Sequence, residues 1–306
     1  MKTVAAIICG KNKRAAAMRE EIEFNLLPHF QLVSYITEPN TATQIAREEA
    51  QKGTDVILAV GGDGTINEIV NGIVREFTDI SLMPAIAVVP FGTGNDLART
   101  INAGNNYATL IEKINNDDYI IADVASATYL NHRGEQNSRY FINTCDIGLG
   151  PSVILKANRF AKKFPGTMAY IMSAVATMFA PPKINVRLTT DDFTVEGPMS
   201  VMCVANGKYF GGGFGISPYS KIDDGLLDIV YIKKLSFPKF MAQLNKVRQC
   251  KFVFADKIFY RKTTFCRIES IAKDQIDLEL DGELVGTTPL EVKILTSSLK
   301  IFVDTK

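Results

Sequence analysis

Apolar runs and polar-punctuated helical stretches alternate through the first hundred residues. Val4–Cys9 is an unbroken apolar run of strand length, and Lys13–Leu27, rich in Ala and Glu, reads as a helix. Gln31–Ile36 predicts a second strand, Ala42–Lys52 a second helix, and Asp55–Val60 a third strand that stops at Gly61. The spacing of Ile66, Ile69, Val70, Ile73 and Val74 predicts a third helix over Thr65–Phe77, with one buried face. Ala85–Val89 is a fourth strand. Such alternation predicts a parallel sheet covered by helices, an α/β arrangement.

The pattern changes near Asp118. Short strands follow over Tyr119–Tyr129, Tyr140–Cys145, Lys183–Leu188, Met199–Val204, Leu226–Ile232, Phe265–Ile271, Gln275–Leu280 and Leu290–Ile294. Helical patterns interrupt at Pro151–Phe160, Thr167–Phe179 and Phe237–Val247. Many short strands divided by Gly and Pro predict a β-sandwich or barrel. The expected division is an α/β domain over 1–125 and a β-sandwich domain over 126–306. Whether the last pair, Leu290–Ile294 and Leu299–Val303, stays with the second domain or returns to the first is left open.

The composition narrows the class. The 306 residues fit two domains, and a net charge of +1 removes the basic excess expected of a nucleic-acid binder. Five cysteines, an odd number with no CxxC pair, argue against a disulfide framework or structural zinc and fit a reducing cytoplasm. The N-terminal apolar run is too short for a signal peptide and reads as the first strand. Met168–Ala180 is too short to span a bilayer and is stopped by Pro181-Pro182.

Two glycine turns carry the chemistry. Gly61-Gly62-Asp63-Gly64-Thr65 follows an apolar strand and opens a helix, where backbone N–H groups and the helix dipole favour an anion. Thr65 and Glu68 have capping-box spacing. A carboxylate at Asp63 would repel phosphate unless a divalent cation lies between, so the turn reads as phosphate plus magnesium; the bland alternative is a tight turn with a capping aspartate. Pro90-Phe91-Gly92-Thr93-Gly94-Asn95-Asp96 follows the next strand. Loops after adjacent parallel strands share one edge, where open α/β sheets bind ligands. Asp63, Asn95 and Asp96 therefore converge on a nucleotide-phosphate site. No P-loop and no strand-linked GxGxxG is present, and the two histidines, His29 and His132, lie near nothing suggestive.

GGDGT followed by PFGTGND resembles the diacylglycerol kinase catalytic superfamily. So do Asn206-Gly-Lys-Tyr-Phe-Gly-Gly-Gly213 with Ile216-Ser-Pro218, Lys221-Ile-Asp-Asp-Gly-Leu-Leu-Asp228, Asp281-Gly282-Glu283, and the landmark from Asn143 to Gly150. The resemblance implies a nucleotide-binding α/β domain of the NAD kinase/diacylglycerol kinase type followed by a β-sandwich that takes the lipid. It implies an ATP-dependent lipid kinase, with diacylglycerol as default acceptor. The alternatives are an NAD kinase-like enzyme on a soluble substrate and a non-catalytic nucleotide- or lipid-binding module. By resemblance the ATP site includes Gly61, Gly62, Asp63, Gly64, Thr65, Ile66, Asn67, Thr93 and Thr37. Where the family has an Asn-Pro-x-Ser/Ala-Gly loop, this chain has Cys9-Gly10-Lys11-Asn12-Lys13.

The Asp223-Asp224-Gly225 segment is either a hairpin turn or, as the resemblance implies, a magnesium site formed by Asp224 with the carbonyls of Lys221 and Leu226. Asp281-Gly282-Glu283 is either a turn or the source of the base that phosphoryl transfer to a hydroxyl needs; Glu283 is favoured and Asp281 is its competitor. Lys156, Arg159, Phe160, Lys162, Lys163 and Phe164 form a basic-aromatic segment. It reads either as a solvated helix end before a buried helix or as a docking patch for anionic lipid. The expected setting is cytoplasmic and peripheral at the inner membrane surface, with transient membrane contact, a lipid substrate, no nucleic-acid partner, and a homodimer left open.

Overall fold

The structure is a computed structural model that describes residues 1–161, 163–164, 166–233, 237–251, 258–272 and 274–304. By internal contacts the chain forms two compact units. One holds Met1–Val124, Ile222–Asp224 and the residues from Leu295 on; the other holds Ala125–Lys221 and Gly225–Ile294.

In chain order the first unit contains β1 (Thr3–Ile8), α1 (Ala15–Leu26), β2 (Gln31–Ile36), α2 (Ala42–Gln51), β3 (Val56–Gly61), α3 (Asp63–Val74), β4 (Ala85–Pro90), α4 (Asp96–Thr100) and α5 (Tyr107–Asn116). Its parallel sheet has the order β2-β1-β3-β4, fixed by the registers Val4↔Leu32, Val4↔Val56 and Val56↔Ala85. The central strands are buried on both faces, which is why they read as unbroken apolar runs. Val4, Ala6, Ile8, Leu58, Val60 and Ala87 pack against Met18, Ile22 and Leu26 of α1 and Ile114 of α5. The alternate residues Ala5, Ile7, Ile57 and Ile86 are equally buried and point to the other face.

Helix α3 begins at Asp63, two residues before the expected Thr65, with Gly62 as its N-cap. The capping box is therefore absent: Thr65 lies inside the first turn. Glu68 instead accepts the Ala42 N–H at 3.1 Å, holding the start of α2.

The second unit contains most of β5 (Ile120–Leu130), then β6 (Gln136–Phe141), β7 (Thr144–Ile147), α6 (Leu149–Phe160), α7 (Gly166–Phe179), β8 (Ile184–Thr190), β9 (Thr194–Met199), β10 (Val201–Ala205), β11 (Tyr209–Phe210), β12 (Phe214–Gly215), β13 (Leu227–Ile232), α8 (Phe237–Arg248), β14 (Ile258–Thr263), β15 (Phe265–Ser270), β16 (Asp277–Leu280) and the greater part of β17 (Glu283–Ile301). It is a β-sandwich. The antiparallel run β14-β13-β10-β7-β16 and the run β9-β8-β15 both connect to β17. Their inner side chains form one core that includes Val186, Leu188, Met202, Val204, Ile229, Ile268, Leu278 and Val292.

Two expectations need correction, and one open question is answered. The strand foreseen over Tyr140–Cys145 is two strands, because the chain turns at Ile142 and Asn143. The two short final strands belong to one, β17, which runs from Glu283 to Ile301 with a left-handed residue at Ser297 (φ 51°) between them. The place of the chain's last strand, left open by the sequence, is divided: the second unit ends at Ile294. Beyond it Ile301 pairs in parallel with Ile86 of β4, and Phe302 enters the first core.

Candidate active site

The C-terminal edge of the first sheet gathers three loops. The strand order reverses between β1 and β3, the switch point at which open α/β sheets bind ligands. Gly10, after β1, donates its N–H to Thr37 Oγ1 at 3.2 Å, so Thr37 sits against the first loop. Asn12 Nδ2 reaches the Phe91 carbonyl at 3.2 Å. The Phe91 N–H in turn donates to the Gly61 carbonyl at 3.0 Å. Gly62 and Gly92 lie back to back: a Cβ on Gly92 would stand 2.3 Å from the Gly62 Cα. Only glycine permits that approach.

The second loop is closed by its own asparagine. Asn95 Oδ1 accepts the Gly92 N–H at 2.9 Å, and Nδ2 donates to the Gly92 carbonyl at 2.8 Å. Its backbone is left-handed, with φ 54°, a conformation Asn tolerates. Asp63 bridges the loops. Its Oδ1 accepts the Leu97 N–H of α4 at 2.9 Å, and its Oδ2 lies 2.8 Å from where a Gly94 Cβ would be. Asp96 Oδ2 is 3.7 Å from the same point, and its other oxygen pairs with Arg99 at 3.3 Å. Two carboxylates thus flank Gly94 at the start of α3 and α4. The first N–H groups of α3 have no partner within the helix, so the edge combines anion-binding amides with cation-binding oxygens. Asp63, Gly64 and Thr65 are half-buried and Thr93 is exposed there.

Two expected ATP contacts are interior. The side chains of Ile66 and Asn67 are buried, Ile66 in the helix–sheet core and Asn67 accepting from Asn71 Nδ2 at 3.1 Å. They support α3, and their side chains are out of a nucleotide's reach.

In the second unit Asp281 and Glu283 differ sharply. Asp281 is buried, and its carboxylate accepts the N–H groups of Ile142, Asn143 and Thr144 at 3.1, 3.0 and 3.0 Å. It anchors the turn between β6 and β7, which counts against Asp281 as a proton acceptor. The same turn is held by Asn206, whose Nδ2 donates to the Ile142 carbonyl at 2.8 Å. Asn143 Nδ2 donates to the Tyr209 carbonyl at 2.7 Å, so the Asn206–Gly213 motif serves this scaffold. Glu283 is half-buried and accepts from Arg139 at 2.7 Å. Arg139 escaped the sequence reading because it lies on a polar edge strand, outside every motif.

The Lys221–Leu226 segment offers the carboxylates of Asp223 and Asp224 and main-chain carbonyls, oxygen donors that fit a hard cation such as magnesium. The Ile222 carbonyl accepts the Asp123 N–H at 2.6 Å, so it is not among the expected ligands; Asp224 with the carbonyls of Lys221 and Leu226 stays as the set the resemblance implies.

One acidic pair was missed altogether. The β7–β16 register sets Asp146 opposite Glu279, both buried. A Cβ on Gly150 would fall 2.4 Å from Asp146 and 2.7 Å from Glu279, while the Gly150 N–H donates to Asp146 Oδ2 at 2.6 Å. Burial pushes the Asp146 carboxyl up to about 7, against the lowering effect of the Gly150 and Ile147 amides.

The matches to known proteins follow this division. Residues 9–127 match the diacylglycerol kinase catalytic domain, and residues 144–303 match the NAD kinase beta sandwich-like C-terminal domain of YegS. The chain belongs to the diacylglycerol kinase family of lipid kinases. Among its relatives, a Bacillus subtilis protein named "Diacylglycerol kinase" is 28% identical over 250 residues, covering 82% of this chain and 78% of its own. A Shewanella frigidimarina protein named "Probable lipid kinase YegS-like" is 30% identical over 245 residues, covering 80% and 75%. The fold is shared with a diacylglycerol kinase crystal structure from Bacillus anthracis, with TM-score 0.74, 24% identity, and coverage of 99% and 97%. Yeast NADH kinase shares it more distantly, with TM-score 0.54, 12% identity, and coverage of 99% and 84%. In this family the chain is a kinase, and no helix among its described residues is long and apolar enough to cross a membrane.

Proposed function

We propose that the chain transfers the γ-phosphoryl group of ATP to a lipid hydroxyl, with diacylglycerol as the acceptor. The observation that carries this reading is the pair Asp63 and Asp96 flanking Gly94 where two interlocked glycine loops meet. The amides at the start of α3 would bind the phosphates and Thr37 would line the first loop. Asp63 and Asp96 would hold magnesium, which supplies charge neutralisation for the triphosphate. Glu283 takes the proton of the acceptor hydroxyl as the new O–P bond forms and the bond to the ADP oxygen breaks. Arg139 orients that carboxylate. A second magnesium at Asp224, Lys221 and Leu226 would be structural. The acceptor follows the name of the Bacillus subtilis relative.

The test is transfer from labelled ATP to a lipid panel in mixed micelles, with NAD as control. Labelled phosphatidic acid from diacylglycerol is expected. Labelling of NAD with no labelled lipid would overturn the reading.

A further inference from the structure

The parallel sheet of the first unit ends at β2, which among the described strands pairs with β1 alone. A terminal strand turns one row of N–H and C=O groups outward, and proteins usually guard such a row with lysine, proline, a bulge or a covering element. β2 carries none of the first three. Its sequence is Gln31-Leu32-Val33-Ser34-Tyr35-Ile36, without a charge or a proline, and its register with β1 runs unbroken from Thr3↔Gln31 to Ile8↔Ile36. Val33 and Ile36 are 39 and 41% exposed, and on the neighbouring α1 segment Phe24 and Leu27 are 82 and 51% exposed. An uncharged edge flanked by exposed apolar side chains is a template for another strand.

Helix α1 packs against β2 and says which strand. From Gly10 to Arg19 the chain carries Lys11, Lys13, Arg14 and Arg19 and no acid; from Glu20 to Phe30 it carries Glu20, Glu21 and Glu23 and no Lys or Arg. The surface beside the edge is thus basic at one end and acidic at the other. Such a surface complements itself when turned by 180°, which brings each basic end to the acidic end of a second copy. A partner of single charge would be repelled by one half.

The side chains select the register. Leu32, Ser34 and Ile36 pair with Val4, Ala6 and Ile8 and share their α1 face, whereas Tyr35 points to the other face, where its hydroxyl donates to Glu49 of α2 at 2.7 Å. A two-fold axis perpendicular to the sheet keeps the α1 face continuous, so opposed residues must belong to the same face. An axis at Ser34 sets Leu32 against the partner's Ile36 and Val33 against the partner's Tyr35. An axis at Val33 would set Leu32 against the partner's Ser34 and Gln31 against the partner's Tyr35, which matches apolar with polar. The Ser34 register also brings the partner's Ile36 to the wall of a cavity of about 520 Å³ lined by Leu27, Phe30, Leu32 and Val33.

We propose that β2 pairs with β2 of a second copy of this chain, antiparallel about a two-fold axis at Ser34, joining two first units into one sheet. The contact is the same patch on both copies, so it closes at two chains. It does not depend on the lipid-kinase reading.

The full chain is followed by sedimentation equilibrium over a wide range of concentration, and the mass of two chains is expected. Val33→Lys places a charge on an exposed edge position and is expected to give the mass of one chain. Opposed Cα atoms of an antiparallel pair lie about 4.5–5.5 Å apart, within the reach of a disulfide. Ser34→Cys treated with diamide is therefore expected to yield a disulfide-linked dimer, reversed by reductant. Gln31→Cys and the wild type, whose own cysteines are buried or half-buried, are expected to stay unlinked. A chain that is monomeric at every concentration would overturn the proposal. So would a dimer that survives Val33→Lys, or one in which Ser34→Cys links no better than Gln31→Cys.

Discussion

Arg139 donates to Glu283 across 2.7 Å, while Asp281, two residues before that glutamate, accepts three backbone N–H groups. One carboxylate is held by a side chain at a half-buried position, and the other is consumed by the scaffold. The two acids of a single turn thus have separable jobs.

Glu283→Gln is expected to reduce turnover by about 10²–10⁴-fold, the usual worth of a general base, with melting temperature unchanged. Asp281→Asn presents an amide to three N–H donors and is expected to destabilise the fold by at least about 2 kcal/mol. Turnover in mixed micelles together with thermal melting of both variants checks the split. An Asp281→Asn protein of normal stability and negligible turnover would reverse the roles.

Asp63→Asn keeps an oxygen for the Leu97 N–H but loses the charge beside Gly94. Phosphoryl transfer is expected to fall at least about 100-fold, with melting close to wild type. A variant of near-normal turnover would remove Asp63 from the cation site.

Gly92→Ala places a methyl group 2.3 Å from the Gly62 Cα. Backbone cannot yield as a side-chain tip does, so the two loops must part, at a cost of about 1–3 kcal/mol. ATP affinity by calorimetry is expected to drop at least about tenfold, at the same cost. Unaltered affinity would mean the loops' contact does not shape the site.

Asp146 has a folded pKa raised by burial above its unfolded value, so the native state binds the proton more tightly. Its contribution to stability is full in acid and is lost as pH rises towards about 7. Glu279 is the acid opposite it. Asp146→Asn keeps an acceptor for the Gly150 N–H and removes the buried charge. Its melting temperature is expected to exceed wild type at pH 8, with the gap narrowing as pH falls below about 7 and closing only near the ordinary Asp range of about 4. A gap independent of pH would show that the pair is not neutralised on folding.

Magnesium binding only the native state raises stability by mass action, about 2.7 kcal/mol at one hundred times Kd. Wild-type melting is expected to fall with EDTA, and Asp224→Ala is expected to abolish that response. A wild-type protein indifferent to EDTA would count against the site.

The first sheet was legible because β3 and β4 are buried on both faces and flanked by glycine turns, so run length and punctuation agree. The Asp63–Gly94–Asp96 grouping followed from adjacency of parallel strands. The second unit was harder. β6 begins Gln136-Asn137-Ser138, exposed residues with no apolar alternation, so only its end at Tyr140 and Phe141 was foreseen and Arg139 was not. The Asp146–Glu279 pair depends on a cross-strand register between segments far apart in sequence. Helix α7 was only half legible: it buries Ala169, Ser173 and Thr177 and exposes Met168, Ile171 and Phe179, and hydropathy alone does not say which side of a helix is covered. In the basic segment before it, Lys162 lies outside the described residues.

The parallel pairing of Ile301 with Ile86 has a consequence for the order of folding. Lys113 Nζ donates to the Val303 carbonyl at 2.8 Å, and Phe302 fills the core beneath β4. These residues leave the ribosome only after the whole sandwich has been made. The first unit, though synthesised first, therefore waits with an open sheet edge and an unfilled core position until the second is complete. Loss of the segment from Leu295 onward would thus be felt at the opposite end of the chain, in the unit that begins at Met1.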